Sequence, residues 1–106
     1  MQSIYAFAGF QLDISRRRLK GPNGVTILLT GGEFATLSIL IAEPRRVFSR
    51  DELIDRSRGG EADVSDRTID VQISRLRRKL QSCSDEDLIR THRGVGYSLN
   101  AAVKGI

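Results

Sequence analysis

Residues 66–80 read DRTIDVQISRLRRKL, and their apolar residues recur at the spacing of an α-helix. At about 100° per residue, four aliphatic side chains fall on one narrow side of that helix. They are Ile69, Ile73, Leu76 and Leu80. A helix buries such a stripe against the rest of its domain. We therefore predict a helix over residues 65–82, capped by Ser65 or Asp66, with its aliphatic stripe in the core.

The opposite side of the same helix is basic and has no carboxylate at its centre. Its residues are Arg67, Thr68, Val71, Ser74, Arg75 and Arg78. A helix face that is merely solvated usually mixes acidic and basic side chains at i, i+4. Arginine bonds guanine edges, valine suits a thymine methyl group, and hydroxyl groups reach phosphates. Since a helix fits the major groove, this face predicts double-stranded DNA as the partner, with an acidic protein surface as the alternative.

Two shorter helices are predicted upstream by their N-terminal signals. In each signal, two residues three apart match a capping box, in which their side chains and backbone amides bond reciprocally. The pairs are Thr30 with Glu33, and Ser49 with Glu52. The first helix continues through apolar residues at helical spacing and stops before the next proline. The second helix is expected to end near residues 59–60, which are both glycine.

The first thirty residues read as short β-strands. Phe10, Leu12 and Ile14 alternate with polar residues, as in a strand with one buried face. Residues 22–24, Pro-Asn-Gly, are a strong turn signal because Asn and Gly tolerate positive φ. A β-rich stretch follows over residues 25–29. We therefore predict a small antiparallel sheet of about four strands.

Residues 88–99 read LIRTHRGVGYSL and predict a β-hairpin, since two β-rich arms flank a glycine-containing centre. Gly94 and Gly96 are expected to need unusual φ angles. Arg93 stands at the tip or just before it, where an arginine can enter a minor groove; an ordinary exposed loop residue is the alternative. Tyr97 is expected to be half-buried, with its hydroxyl free for a phosphate or a backbone group.

The order of strands, three helices and a hairpin is the layout of a winged helix-turn-helix domain of the α+β class. All 106 residues are expected to form this one domain. The chain has 17 Lys and Arg against 13 Asp and Glu, for a net charge of +4. Because the excess of basic residues lies in the second half of the chain, its placement favours a polyanionic partner more than the total does.

The counts of cysteine and histidine exclude several classes of function. Cys83 and His92 are the single residues of their types, so neither an internal disulfide nor a four-ligand zinc site can form. No nucleophile and base can be paired, and we predict no enzyme activity, no metal and no cofactor. No apolar run approaches the roughly 20 residues that span a bilayer, and no signal peptide is visible. We therefore expect a soluble, cytoplasmic domain.

Four stretches of the sequence together resemble the C-terminal effector domain of OmpR/PhoB-type response regulators. They are residues 29–34 (LTGGEF), 47–53 (VFSRDEL), 66–80 and 89–97 (IRTHRGVGY). The resemblance covers nearly the whole chain, and the motifs follow one another in the family's order. It implies a winged helix with a four-stranded N-terminal sheet, three helices and a C-terminal wing, whose third helix enters the major groove.

The resemblance also implies roles for individual residues. Base or phosphate contacts are implied for Arg67, Thr68, Val71, Ser74 and Arg75, and a phosphate contact for Arg77. The wing positions are Thr91, Arg93 and Tyr97, with Arg93 directed to the minor groove. A contact with RNA polymerase is implied for the loop Arg58, Gly59, Gly60, Glu61, Ala62, Asp63 and Val64. The chain departs from the family pattern at Arg58, where many relatives have Trp, and at Ser98, where many have a basic residue.

The implied partners are those of a two-component system. The family binds tandem DNA half-sites as a dimer formed through a separate receiver domain, which carries the phosphoacceptor and stands downstream of a histidine kinase. Residues 1–106 contain no receiver domain, so we expect this domain alone to be monomeric. A winged-helix module that docks an acidic protein partner is the alternative function.

Overall fold

The chain folds as a winged helix in which a β-sheet precedes three helices and a hairpin. A computed structural model describes residues 3–57 and 66–106. The helices are α1 (Gly31–Ala42), α2 (Arg50–Ser57) and α3 (Asp66–Gln81). The strands are β1 (Ile4–Phe7), β2 (Phe10–Asp13), β3 (Arg18–Lys20), β4 (Thr26–Ile27), β5 (Ile89–His92), β6 (Gly96–Leu99) and β7 (Lys104–Gly105). The predicted fold class and order of elements are confirmed.

The N-terminal strands form an antiparallel sheet together with β7, in the order β4-β3-β2-β1-β7. Ala8 and Gly9 join β1 to β2 with φ angles of 48° and 86°, the pair of positive values that a tight hairpin turn needs. Between β3 and β4, Gly24 has a φ of 81°, as the Pro-Asn-Gly signal predicts. Strand β4 is limited to Thr26–Ile27 and is shorter than the expected residues 25–29.

Strand β7 is an element that the sequence pattern does not predict. It pairs with β1 through Tyr5 opposite Gly105 and Ala6 opposite Lys104. Both residues of β7 are exposed and they carry no apolar alternation, so their types give no strand signal. The pairing satisfies backbone groups on the edge of β1 that would otherwise stay without a strand partner.

Both predicted capping boxes are present. In α1, Thr30 Oγ1 accepts a hydrogen bond from the Glu33 amide at 3.2 Å, and Glu33 Oε1 accepts one from the Thr30 amide at 2.9 Å. At the start of α2, Ser49 and Glu52 exchange the same two bonds, each at 3.1 Å. These bonds satisfy amide groups in the first helical turn that have no partner within the helix.

Helices α1 and α3 pack closely because a glycine faces the contact. A Cβ atom on Gly32 would lie 2.1 Å from Nε2 of Gln72, and Thr36 Oγ1 donates a 2.7 Å hydrogen bond to Gln72 Oε1. The predicted aliphatic stripe of α3 is at most 2% exposed, which holds for Ile69, Ile73, Leu76 and Leu80. Burial of this stripe leaves the opposite face of α3 at the surface.

The wing, formed by β5 and β6, is attached to the loop between α1 and α2. Phe48 and Tyr97 exchange two backbone hydrogen bonds of 2.8 and 2.9 Å. This approach leaves no room for a side chain at Gly96, where a Cβ atom would lie 1.9 Å from the Phe48 carbonyl oxygen. Gly94, in the wing turn, has a φ of +73° and open space around it. Gly94 is thus required for its backbone angle and Gly96 for its lack of a side chain.

We expect Gly96→Ala to destabilise the domain by about 2–4 kcal/mol, because backbone atoms of Phe48 must move to admit the methyl group. Gly94→Ala is the matched control, since its methyl group enters open space and adds only left-handed backbone strain of about 1 kcal/mol. Urea unfolding followed by circular dichroism measures both free energies of unfolding. Equal losses in the two variants would contradict the steric explanation.

Candidate nucleic-acid interface

The face of α3 opposite the core brings together five of the ten residues predicted to contact DNA. Exposed on this face are Val71, Ser74, Arg75 and Arg78, with Thr68 half-buried beside them. Within the ranges 3–57 and 66–106, neither Arg75 nor Arg78 forms an ion pair. The side chain of Arg67, predicted for the same face, lies outside the described residues. The face therefore presents two exposed arginines, a hydroxyl group and an aliphatic side chain to a partner.

Arg77 lies on the flank of α3 and bonds the wing. Its Nε and Nη2 atoms donate to the Ile89 carbonyl oxygen at 3.1 and 2.9 Å, and Nη2 also donates to Thr91 Oγ1. Its guanidinium carbon lies 5.7 Å from the centre of the Tyr97 ring. Two residues with implied DNA contacts, Arg77 and Thr91, thus bond each other, and their contacts with DNA stay predictions.

Lys79 also forms its ion pair within the domain. Its Nζ atom lies 2.5 Å from Glu33 Oε1 and 2.8 Å from the Leu28 carbonyl oxygen. Burial alone would raise the pKa of the Glu33 carboxyl, but hydrogen bonds from Lys79 and from the Thr30 amide outweigh burial and lower that pKa. Lys79 therefore supports the packing of α1 on α3 and adds little to the exposed basic face.

Asp70, on the side of α3 that faces the wing, accepts two hydrogen bonds at one oxygen. The Tyr97 hydroxyl donates to Asp70 Oδ1 at 2.6 Å, and Arg50 Nε donates to the same atom at 2.8 Å. The bond from Tyr97 and then the bond from Arg50 lower the pKa of the Asp70 carboxyl. Burial, followed by the bond to Asp70, raises the pKa of the Tyr97 hydroxyl.

The placement of Tyr97 corrects one expectation. The residue is 6% exposed and its hydroxyl is bonded to Asp70, so the expectation of a half-buried tyrosine with a free hydroxyl is wrong. The physical reason is the pairing of β6 with Phe48, which holds Tyr97 within the core cluster, where its hydroxyl reaches Asp70 on α3.

The wing tip is exposed, as predicted. Arg93, Gly94 and Val95 are all accessible to solvent, and the Val95 amide closes the turn with a 2.8 Å bond to the His92 carbonyl oxygen. The ring of His92 lies across the hairpin, with Nε2 at 2.8 Å from Ser98 Oγ. Arg93 is therefore accessible to a partner, and His92 has the position of a strand-face residue.

Two other kinds of site are not found in the part of the chain that the structure describes. No group of three or more His, Cys, Asp or Glu side chains there is placed to hold a metal ion. No helix within the same ranges is long and apolar enough to cross a membrane. The loop of residues 58–64, predicted to contact RNA polymerase, lies outside the described residues.

Asp70 and Arg50 form contacts beside this face that sequence reasoning missed. They belong to different helices and stand 20 positions apart, and Tyr97 stands 27 positions from Asp70. Local spacing cannot connect residues that are so distant. One signal was present, because Asp70 is an isolated acid among the basic residues of positions 67–79. An acid in that setting indicates a partner elsewhere in the fold.

Known proteins match the chain in sequence and in fold. The family model described as "Transcriptional regulatory protein, C terminal" matches residues 24–99. The chain belongs to this family. It is an OmpR/PhoB-type DNA-binding domain of transcriptional regulators, and the fold of this family is non-enzymatic. The match confirms three predictions made from the sequence, namely the family, the winged-helix class and a domain that is not an enzyme.

Relatives of this OmpR/PhoB-type domain include complete regulators and isolated DNA-binding domains. The regulatory protein VirG of Agrobacterium fabrum is 45% identical over 100 residues, which are 93% of this chain and 40% of VirG. The DNA-binding domain of Klebsiella pneumoniae RstA, solved in complex with the RstA box, is 32% identical with a TM-score of 0.76, over 92% of this chain and 96% of that one. The DNA-binding domain of E. coli CadC is 27% identical with a TM-score of 0.84, over 99% and 98% of the two chains. The chain thus spans about two fifths of the length of VirG.

The lowered pKa of Asp70 predicts how the stability of the domain responds to acid. A carboxyl whose pKa is lower in the folded state contributes stability above its ordinary pKa of 3.8, and this contribution is lost as the pH falls through the folded value. We expect the urea midpoint of Asp70→Asn to fall less steeply than that of the native domain below about pH 4. Asp55→Asn, at an exposed site on α2, is the control. An unchanged acid slope in Asp70→Asn would contradict the prediction.

Proposed function

We propose that this domain binds double-stranded DNA in a sequence-specific manner and is the output domain of a two-component response regulator that controls transcription. Helix α3 enters the major groove, and the wing lies at the adjacent minor groove. The observation that carries the proposal is the exposed face of α3, where Arg75 and Arg78 form no ion pair with the described residues. Cations without an internal partner are available to base edges and phosphates.

The neighbouring residues support this assignment of roles. Val71 is 43% exposed among polar side chains, where an aliphatic group suits contact with a thymine methyl group. In this proposal Arg75 bonds a guanine edge, and Ser74 bonds a base or a phosphate. The RstA domain, which has the same fold, was solved in complex with its DNA box.

We further propose the partners of the complete protein. A receiver domain in cis and an upstream histidine kinase would supply the signal in the cytoplasm, the loop of residues 58–64 would contact RNA polymerase, and two copies would occupy tandem half-sites. In support of this, VirG is long enough to hold at least one more domain besides the part that matches. Sedimentation equilibrium tests the associated expectation that residues 1–106 alone are monomeric.

Selection of preferred duplexes from a random DNA pool tests the proposed function directly. We expect enrichment of a sharp, repeated half-site. Binding through roughly six phosphate contacts should weaken on the order of a thousandfold between 50 and 200 mM salt, because the counterions released on binding favour dissociation at high salt. If no sequence is enriched at moderate salt, the alternative function, in which the basic face docks an acidic protein partner, is favoured instead.

Arg75→Ala is expected to relax the preference for one base position of the selected site. Loss of a bidentate contact with a base should cost roughly 1–3 kcal/mol on the preferred site and much less on scrambled DNA. Arg18→Ala, an exposed arginine on β3, is the control for a simple loss of charge. Fluorescence anisotropy titrations give the ratio of the two affinities, and an unchanged ratio would exclude Arg75 from base reading.

Arg93→Ala is expected to weaken binding most where the flanks of the half-site are rich in A and T. A narrow A/T minor groove has an enhanced negative potential that favours an inserted arginine. Arg90→Ala, an exposed cation of the same hairpin, should lose affinity to the same degree on every flank. Titrations on duplexes that differ only in their flanks measure this difference. A uniform loss for Arg93→Ala would indicate a simple phosphate contact instead.

A further inference from the structure

We propose that the outer face of the N-terminal sheet is a second DNA-binding surface, which binds the phosphate backbone of a DNA segment other than the one that contacts α3. The outer face is the side of the sheet that points away from the core. The proposal rests on the proposed function only for the first segment, since the contact at the sheet does not depend on base sequence. Such a surface lets one domain bridge two DNA segments.

The strand register places three cations on this outer face. Residues directly opposite each other in an antiparallel pair project to the same side of the sheet. Lys20 is opposite Gln11 on β2, and on β1 Ala6 is opposite both Gln11 and Lys104. These residues form a row, in which Lys20 and Lys104 stand roughly 14 Å apart at the usual strand spacing. Arg18 shares their side because it stands two positions before Lys20 on β3.

The three cations of this face are free of ion pairs. Arg18, Lys20 and Lys104 are all exposed, and none of them pairs with an acid within residues 3–57 and 66–106. The buried side chains of the same strands, such as Leu12 and Leu19, lie on the other side of the sheet. The three charges are therefore available to a partner outside the domain.

A fourth cation comes from the run of three arginines at residues 16–18. The structure divides this run between two places. Arg17 lies over the Phe34 ring, with its guanidinium carbon 4.4 Å from the ring centre. Arg16 has a side chain that is 74% exposed, and it lines one shallow depression of about 120 Å³ together with Arg18 and Lys20. The depression offers three cations to one anionic group.

Asp13 is the one acid among the strand residues that the structure places on this face. Its Oδ1 atom accepts a hydrogen bond from the Arg16 amide at 3.1 Å, and its Oδ2 atom lies 3.8 Å from Arg16 Nη1. The carboxylate thus offsets the charge of Arg16. Arg18 and Lys20 keep their full charge, so the face has a positive excess.

The chemistry of the face fits a polyanion better than a protein surface. The centre of a protein interface is apolar and depleted of charged residues, whereas DNA interfaces are more polar and strongly basic. The exposed large hydrophobic residues of the described chain are Val25, Leu28, Val71, Val95 and Ile106. None of them is a strand residue of the outer face. Since phosphate contacts need cations and no base edge, the DNA backbone is the occupant.

The two DNA-binding faces point away from one shared core. The buried residues of the sheet and the aliphatic stripe of α3 belong to the same core cluster, so the outer sheet face and the exposed α3 face lie on different sides of it. The domain extends 32 Å along its longest axis, whereas DNA stays nearly straight over lengths far below its persistence length of about 50 nm. The duplex on α3 therefore does not turn around the core, and the sheet binds a second segment.

Energy transfer between two labelled duplexes tests the proposal. The 106-residue domain is mixed with an excess of a donor-labelled duplex that carries the selected half-site, so that α3 is occupied, and an acceptor-labelled scrambled duplex is titrated in. We expect energy transfer at low salt. The affinity for the second duplex should fall about fortyfold between 50 and 200 mM salt, because roughly three phosphate contacts give a slope of about −2.7 in log K against log salt. Absence of transfer while the selected duplex is bound would overturn the proposal.

Arg18→Gln combined with Lys20→Gln removes two of the three cations at exposed strand positions. We expect the affinity for the second duplex to fall at least about tenfold and its salt slope to drop to about −0.9, with unchanged affinity for the selected duplex. Arg45→Gln combined with Arg56→Gln, at exposed positions after α1 and on α2, is the control with the same net charge and should keep the transfer. Circular dichroism checks that all variants fold.

Two results with these variants would overturn the proposal. Equal losses of the second duplex in both double variants would indicate an effect of total charge alone. Weaker binding of the selected duplex after loss of Arg18 and Lys20 would show that the sheet and α3 hold the same segment. Tighter binding of poly-glutamate than of the scrambled duplex, at equal concentration of charge, would identify an acidic protein as the partner of the sheet instead.

The outcomes also separate failure of this proposal from failure of the proposed function. Enrichment of a half-site without energy transfer would refute the second surface and leave the proposed function in place. Binding of the scrambled duplex that depends on Arg18 and Lys20, without enrichment of any half-site, would support the sheet surface and refute sequence reading by α3. Fluorescence anisotropy of the scrambled duplex alone measures this second case.

Discussion

The contact between the wing and the loop after α1 is the constraint on which the arrangement of the functional surface depends. Strand β6 comes so close to Phe48 that Gly96 has no space for a Cβ atom, and two backbone bonds join Phe48 to Tyr97. These bonds fix the position of β6 against the loop between α1 and α2. Once the backbone of Tyr97 is fixed there, its hydroxyl donates a hydrogen bond to Asp70 on α3.

The net charge of the chain does not show which cations are available to a partner, because several basic residues form bonds within the domain. Lys79 neutralises the buried carboxylate of Glu33, and Arg77 bonds the backbone and a hydroxyl of the wing. Arg50 is paired with Asp70. Arg75 and Arg78, which have no ion pair in residues 3–57 and 66–106, remain at the surface of α3. Among the described basic side chains of α3, Arg77 and Lys79 thus bond within the domain, whereas Arg75 and Arg78 form no ion pair there.

Local rules explain which parts of the fold could be read from the sequence. The buried stripe of α3 follows from helical periodicity, and both capping boxes follow from residues three positions apart. Strand β7 could not be read because its pairing partner Tyr5 lies at the other end of the chain. The bond between Asp70 and Tyr97 spans 27 positions and has no local pattern either. The exposed residues of the basic α3 face were therefore predictable, whereas the polar contacts between α3 and the wing were not.

The pairing of β7 with β1 has a consequence for the synthesis of the protein. Strands β1 to β4 are neighbours in sequence and can pair as hairpins soon after they leave the ribosome, which adds about 5–20 residues per second. The outer edge of β1 stays unpaired until Lys104 and Gly105 are synthesised, about a hundred residues later. For those seconds the sheet presents an open strand edge, the kind of surface through which nascent chains pair with one another. Strand β7 therefore pairs with the open edge of β1, the strand that is synthesised first.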